Sequence, residues 1–131
     1  MFGIKPKSRS KKVLIVEDDS LLAKVLSESF LIEKFQVATV NNGLEVAKIV
    51  ETFKPDIILL DLIIPGIDGF AVLKKLKSDI KTKDIPVLVL SNLSDVGDVK
   101  SIKVLGADEY FIKSNTEMEK IVKYVKNRLK V

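Results

Sequence analysis

Cysteine and histidine are both absent from the 131 residues. Without cysteine the chain has no disulfide framework and no cysteine-ligated zinc or iron–sulfur site. Without histidine it has no Ser-His-Asp triad, no histidine-ligated metal and no imidazole proton shuttle. Chemistry that uses carboxylates and hard cations stays open.

Long hydrophobic runs are also missing. The first apolar run, Val13–Val16, is shorter than the roughly 7–15 residues of a signal-peptide core. No run approaches the roughly 18 residues that cross a membrane. We therefore expect a soluble, cytoplasmic protein. At 47% hydrophobic residues, the chain can build one core and one domain.

Positive charge is concentrated at the amino terminus, although the net charge is only +4. The first twelve residues contain no acid and five basic residues, which are Lys5, Lys7, Arg9, Lys11 and Lys12. The remaining chain has 17 basic and 18 acidic residues and is nearly neutral. We expect residues 1–11 to be a disordered basic leader and residues 12–131 to be the folded domain.

Five short apolar runs alternate with segments of helical periodicity. The runs predict strands at Val13–Val16, Gln36–Val40, Ile57–Leu60, Pro86–Leu90 and Tyr110–Ile112. The stripes between and after them predict helices around residues 22–30, 46–53, 70–77, 99–105 and 118–129. Strands that alternate with helices indicate a parallel α/β sheet with helices on both faces.

Polar residues follow four of the predicted strands. They are Glu17, Asp18 and Asp19, then Asp61, then Ser91 and Asn92, then Lys113. Ligands of open parallel sheets bind outside the carboxyl ends of the strands, so these side chains are expected to meet there. Taken singly, each also has a structural explanation, such as a helix cap or a turn acid.

Three acids at one site repel one another, which raises carboxyl pKa values unless cations compensate. Lys113 offsets one charge, and Mg²⁺ would offset two more, because Mg²⁺ prefers a few carboxylates, water and phosphate oxygens. The same set suits phosphoryl transfer. Asp61 is then the candidate nucleophile, and Ser91 and Lys113 would hold phosphoryl oxygens.

Other phosphate-binding motifs are missing. The six glycines form no G-x-G-x-x-G pattern, and none is followed by lysine as in a Walker A loop. A phosphatase of the haloacid dehalogenase type would place a second aspartate two residues after the nucleophile, where this chain has Ile63. A free-standing phosphatase is therefore disfavoured.

The sequence resembles the receiver domains of two-component response regulators, the chemotaxis-type phosphoacceptor fold. The resemblance covers about residues 12–130. It depends on five landmarks in order: VLIVEDD at 13–19, PDIILLD at 55–61, PGIDG at 65–69, LS at 90–91 and GADEYFIK at 106–113. The resemblance implies a flavodoxin-like sheet of strand order 2-1-3-4-5.

The resemblance also implies roles for the acidic residues. Asp61 would accept the phosphoryl group from a histidine kinase or a phosphotransfer protein. Asp18 would bind Mg²⁺ directly, together with Asp61. Glu17 would hold it partly through water, and the backbone carbonyl of Ile63 would supply another ligand.

Further implied roles concern the switch. Ser91 and Lys113 would contact the phosphoryl group. Tyr110 would be an aromatic switch that turns inward when Ser91 moves toward the phosphate. The signalling face would be the fourth helix, fifth strand and fifth helix, at about residues 97–130.

The chain departs from the family pattern near the site. Proline commonly follows the lysine in the family, often after a cis peptide, but Ser114 follows it here. We therefore predict a trans Lys113–Ser114 bond and a looser loop. Ile63 and Asn92 occupy positions that often tune dephosphorylation. Apolar Ile63 offers no hydrogen bond to an attacking water, so we expect a long-lived phosphoryl group.

The sequence thus predicts a stand-alone receiver without an output domain, acting through an unidentified downstream protein. It would be a monomer or a phosphorylation-linked dimer, and no enzyme beyond its own phosphorylation and dephosphorylation. Two alternatives stay open, a phosphorelay intermediate and a constitutive, unphosphorylated binding module. The predicted fifth helix is basic, but no helix-turn-helix follows it and cations also favour helix carboxyl ends. We therefore do not expect a nucleic-acid partner.

Overall fold

In a computed structural model, which describes residues 10–92 and 96–131, the chain forms a five-stranded sheet flanked by five helices. The strands are β1 (Lys12–Val16), β2 (Gln36–Val40), β3 (Ile57–Leu60), β4 (Val87–Ser91) and β5 (Glu109–Ile112). The helices are α1 (Ser20–Ile32), α2 (Val46–Phe53), α3 (Gly69–Ser78), α4 (Val96–Val104) and α5 (Met118–Leu129). Short 3-10 turns lie at Gly43–Glu45 and Lys113–Asn115.

All neighbouring strands pair in parallel, in the order β2-β1-β3-β4-β5. This confirms the predicted order. Val13 of β1 lies opposite Val37 of β2 and Ile57 of β3. Because β1 has β2 on one side and β3 on the other, the order reverses there. That reversal opens a crevice beyond the carboxyl ends of β1 and β3.

The central strands are buried on both faces, which explains their continuous apolar sequence. Leu14 and Val16 of β1 point toward α2, α3 and α4, where Ile102 of α4 is fully buried. Val13 and Ile15 point to the other face, toward Phe30 of α1 and residues of α5. Each face of the sheet therefore has its own apolar core, and together they fix the positions of the strand ends.

Short polar side chains begin α1 and the turn before α2. The Asp19 carboxylate accepts hydrogen bonds from the backbone amides of Leu21 and Leu22, both at 3.1 Å, and caps α1. The Asn42 side chain caps the 3-10 turn at Gly43–Glu45, so α2 itself begins later, at Val46. Gly106 follows α4 with φ of +104°, a conformation that favours glycine.

The chain enters the sheet through residues 10 and 11. The backbone amide of Gln36 donates a 2.9 Å hydrogen bond to the Lys11 carbonyl, just before β1. The rest of the predicted leader, residues 1–9, lies outside the described residues. Within the described ranges, no helix has both the length and the apolar character needed to cross a bilayer. Peptide bonds are trans throughout these ranges, so the trans prediction for Lys113–Ser114 is confirmed.

Candidate functional site

Asp61 lies directly after β3 and is 4% exposed. Its backbone amide donates to the Val16 carbonyl at 3.0 Å, which anchors the residue between β1 and β3. One carboxylate oxygen, Oδ1, accepts hydrogen bonds from Ser91 Oγ and the Ile63 amide, both at 3.0 Å. The other oxygen, Oδ2, lies 2.6 Å from Lys113 Nζ. Three donors from three segments therefore hold one buried carboxylate.

Lys113 follows β5 and reaches across β4 to the crevice. Its ammonium lies 2.6 Å from Glu17 Oε1 and 2.6 Å from Asp61 Oδ2. The three side chains are 15%, 3% and 4% exposed, respectively. One ammonium therefore contacts two buried carboxylates, so the positive charge of Lys113 does not neutralise both Glu17 and Asp61.

The carboxylates of Glu17, Asp18 and Asp61 form a possible cation site. One oxygen from each lies within 4.8 Å of the others. Glu17 and Asp61 are buried, whereas Asp18 is exposed toward solvent. The Asp19 amide donates to Glu17 Oε2 at 3.1 Å and so fixes the Glu17 side chain. Oxygen donors that are partly open to water are the set that Mg²⁺ prefers.

Burial and charge shift two pKa values in this cluster. Burial raises the pKa of Glu17 to about 7, and the nearby Asp61 charge adds to this, although the Lys113 hydrogen bond opposes it. Burial alone would lower the pKa of Lys113, but its hydrogen bonds to Asp61 and Glu17 outweigh burial and raise it. Burial is thus the main cause of the shift at Glu17, with a smaller part from the Asp61 charge, and Lys113 stays charged.

Ser91 and Tyr110 connect the site to the edge of the sheet. Ser91 is fully buried and its hydroxyl donates to Asp61. The Tyr110 hydroxyl lies 3.4 Å from the Ser91 carbonyl oxygen, in position to donate a long hydrogen bond. The Asn92 side chain accepts a 3.0 Å hydrogen bond from the Ser114 amide and joins the segments that follow β4 and β5.

The structure brings together the five predicted side chains of Glu17, Asp18, Asp61, Ser91 and Lys113. It also shows a contact that sequence reasoning missed, from the Ile63 amide to Asp61. An aspartate commonly accepts from the amide two residues later when a turn begins, so the turn after β3 contained that signal. The Ile63 side chain is 59% exposed beside the carboxylate.

Comparison with known proteins identifies the family. The family model described as the response regulator receiver domain matches residues 13–126 of the sequence. The chain belongs to this family. The probable transcriptional regulator ycf27 of Cyanidium caldarium is 35% identical over 127 residues, which cover 95% of this chain and 50% of that protein.

Solved receiver structures agree with this assignment. The phosphorylated cyanobacterial phytochrome response regulator RcpA has a TM-score of 0.77 and 30% identity, covering 91% of each chain. A Mn²⁺-bound form of response regulator Rcp1 has a TM-score of 0.78 and 27% identity, covering 88% of this chain and 91% of that one.

Receiver domains are signalling modules of two-component systems, and phosphorylation and Mg²⁺ are typical of them. This chain spans about half the length of the curated relatives that it matches. The carboxylates of Glu17, Asp18 and Asp61 fit a divalent cation.

Proposed function

We propose that this receiver domain accepts a phosphoryl group on Asp61 from a histidine kinase or a phosphotransfer protein. The observation that carries the proposal is the hydrogen bonding of the Asp61 carboxylate. Oδ1 accepts from Ser91 and from the Ile63 amide, while Oδ2 contacts the Lys113 ammonium. Donors placed around one buried carboxylate can also bind the phosphoryl oxygens that it acquires.

The reaction is an in-line displacement. An Asp61 oxygen forms a bond to phosphorus while the bond from phosphorus to the donor nitrogen breaks, and the electron pair leaves with that nitrogen. Lys113 would bind one equatorial oxygen and Ser91 another. A Mg²⁺ ion held by Glu17, Asp18, Asp61 and the Ile63 carbonyl would neutralise charge on the transferred group.

Phosphorylation would then bias two conformations. The phosphoryl group adds about −1.5 to −2 charges beside Ser91 and Lys113, both of which already face Asp61. We expect Ser91 to move toward the phosphate. Tyr110, which lies close to the Ser91 carbonyl, would change its packing with it. Contacts on the face formed by α4, β5 and α5 would change as a result and alter binding of a downstream protein.

The test is the intact mass of the protein after incubation with acetyl phosphate. The wild type should gain one phosphoryl group when Mg²⁺ is present and none with EDTA. Asp61→Asn should gain none. Asp79→Asn, which changes an exposed aspartate at the end of α3, should be labelled like the wild type. Labelling of Asp61→Asn, or no labelling of the wild type by either acetyl phosphate or a phosphorylated kinase domain, would contradict the proposal.

The side chain of Ile63 should slow loss of the phosphoryl group. It is exposed beside Asp61 and has no polar atom to orient an attacking water. Ile63→Asn supplies such an atom, and we expect it to shorten the half-life of the phosphorylated protein by about tenfold. The measurement is the decay of phosphorylated mass at neutral pH after the donor is removed. Equal half-lives would show that Ile63 does not set the rate.

A phosphorelay role is the second candidate. It uses the same Asp61 chemistry in reverse, with transfer onto a histidine of a partner. Reverse transfer from phosphorylated protein to a purified phosphotransfer domain would establish it, whereas loss of the group only to water would exclude that partner.

A further inference from the structure

A cleft between α2 and α3 lies on the sheet face opposite α1 and α5. Its volume is about 240 Å³. The inner wall is apolar and comes from both helices, mainly from Val46, Val50, Ala71, Val72 and Leu76. None of Glu17, Asp18, Asp61 and Lys113 lines it. The cleft is therefore separate from the site of phosphorylation.

The mouth of the cleft is held in shape by the turn before α2. The Gly43 amide donates to the Pro65 carbonyl at 2.9 Å. A Cβ atom on Gly43 would lie 2.6 Å from the Ile67 carbonyl oxygen, so only glycine permits this approach. Leu44 and Ile67 stay 68% and 39% exposed beside the opening. The cleft is thus preformed and has uncovered apolar surface at its entrance.

The outer end of the cleft is charged and widens into a second groove. Three lysines line these two spaces, Lys54, Lys75 and Lys81, together with two acids, Glu51 and Asp79. Asp79 already accepts a 2.9 Å hydrogen bond from the Lys81 amide. Among the described residues no ion pair engages the Lys75 ammonium. With three lysines against two acids, the outer end has a net charge of +1, and the Lys75 ammonium can pair with an anion.

We propose that this cleft binds a small amphipathic carboxylate, with its apolar body between α2 and α3 and its carboxylate at Lys75. Ligand sites commonly combine an apolar wall with a few polar groups that fix orientation. An apolar cavity of about 150 Å³ binds benzene, so a cleft of about 240 Å³ that continues outward suits a two-ring body.

The probe is 2-naphthoate, titrated into the unphosphorylated wild type and followed by amide NMR shifts. We expect saturable binding, with the largest shifts at Gly43, Ala47, Ala71 and Leu76. Because the measurement needs no phosphoryl group, its outcome is independent of the function of Asp61. Shifts that are linear with concentration, or that spread evenly over the surface, would overturn the proposal.

Variants locate the two ends of the ligand. Ala71→Leu fills the inner cleft from an exposed helix position and should weaken binding by about tenfold or more. Lys48→Leu adds a leucine to α2 away from the cleft and should bind like the wild type. Unchanged affinity of Ala71→Leu would overturn the site.

The carboxylate is tested by Lys75→Gln and by the neutral probe 2-naphthalenemethanol. Because Lys75→Gln loses a charge-assisted contact, its affinity for naphthoate should fall by about tenfold. Its affinity for the alcohol should equal that of the wild type. If wild type binds the alcohol as tightly as naphthoate, the assignment of an anionic ligand is wrong.

Discussion

Two clusters of charged side chains lie at opposite ends of β5, and they differ in how well their charges are matched. Lys113 follows β5 and faces Glu17 and Asp61. Asp108 precedes β5 and accepts hydrogen bonds from Tyr124 and Arg128 of α5. We refer to the first as the acidic cluster (Glu17, Asp18, Asp61, Lys113) and to the second as the α5 cluster (Asp108, Tyr124, Arg128).

In the α5 cluster, one negative charge is matched by one positive charge. One carboxylate meets one guanidinium at 3.1 Å, and their side chains are 21% and 44% exposed. Burial, together with the hydrogen bond to Asp108, raises the pKa of Tyr124, so its phenol stays protonated and donates. The Tyr124 ring also packs edge-on against Phe111 of β5, with ring centroids 5.7 Å apart. This cluster joins α5 to the sheet.

The acidic cluster is unbalanced and more deeply buried. Two carboxylates share one ammonium, and the pKa of Glu17 is raised to about 7. Such an arrangement contributes little to folding, because removing charges from water opposes their mutual attraction. The balanced cluster thus stabilises the fold, whereas the unbalanced one fits the phosphoryl and cation chemistry proposed above.

The largest effect is expected for Lys113→Met. It leaves Glu17 and Asp61 buried without their cation, so the free energy of unfolding in EDTA should fall by about 3 kcal/mol. Urea denaturation at pH 7 measures this, and phosphorylation by acetyl phosphate should be lost as well. A variant as stable as the wild type would show that Lys113 does not hold the acids together.

Tyr124→Phe should have a smaller effect and no functional consequence. It removes the hydrogen bond to Asp108 but keeps the ring against Phe111, so the expected loss is about 1 kcal/mol. The measurements are urea denaturation and labelling by acetyl phosphate on the same sample. Reduced labelling with normal folding would mean that the α5 cluster also acts in phosphoryl transfer.

The smallest effect is expected at the ion pair between Lys126 of α5 and Glu33, which directly follows α1. The distance from Lys126 Nζ to Glu33 Oε1 is 2.8 Å. Both side chains are more than one-third exposed, at 39% and 37%. Solvent screens such pairs, so Lys126→Met should change the free energy of unfolding by about 0.5 kcal/mol or less. A loss as large as that of Lys113→Met would remove the contrast between buried and exposed charge.

Most of the fold follows from the sequence, because solid apolar runs and helical stripes alternate without ambiguity. The errors are at element ends. β1 begins at Lys12 rather than Val13, and β5 begins at Glu109 rather than Tyr110. β4 runs from Val87 to Ser91 rather than from Pro86 to Leu90. A backbone hydrogen bond decides these positions, and the side chain at each gives little indication of it.

The acidic cluster is predictable because parallel strands bring their carboxyl ends to one edge. The double contact of Lys113 with Glu17 and Asp61 is not predictable in the same way. From the sequence, one lysine is expected to neutralise one carboxylate. The α5 cluster was missed altogether. Asp108 and Tyr124 are 16 residues apart, and only the rotation of α5 about its axis brings them together.

Glu17 is held in a site that disfavours its charge. A carboxyl whose folded-state pKa lies above its ordinary value of 4.5 keeps its proton in the folded protein after the unfolded chain has lost it. Folding stability in EDTA should therefore fall as pH rises from about 4.5 to about 7, by about 3 kcal/mol in total.

The direct test is urea denaturation of Glu17→Gln and wild type in EDTA, at pH 5 and at pH 8. The glutamine side chain of the variant cannot ionise, so we expect the variant to be more stable than wild type by about 3 kcal/mol at pH 8 and by about 1 kcal/mol or less at pH 5. It should also need more Mg²⁺ for labelling by acetyl phosphate. A variant less stable than wild type at pH 8 would show that ionised Glu17 stabilises the fold and that the site does not disfavour its charge.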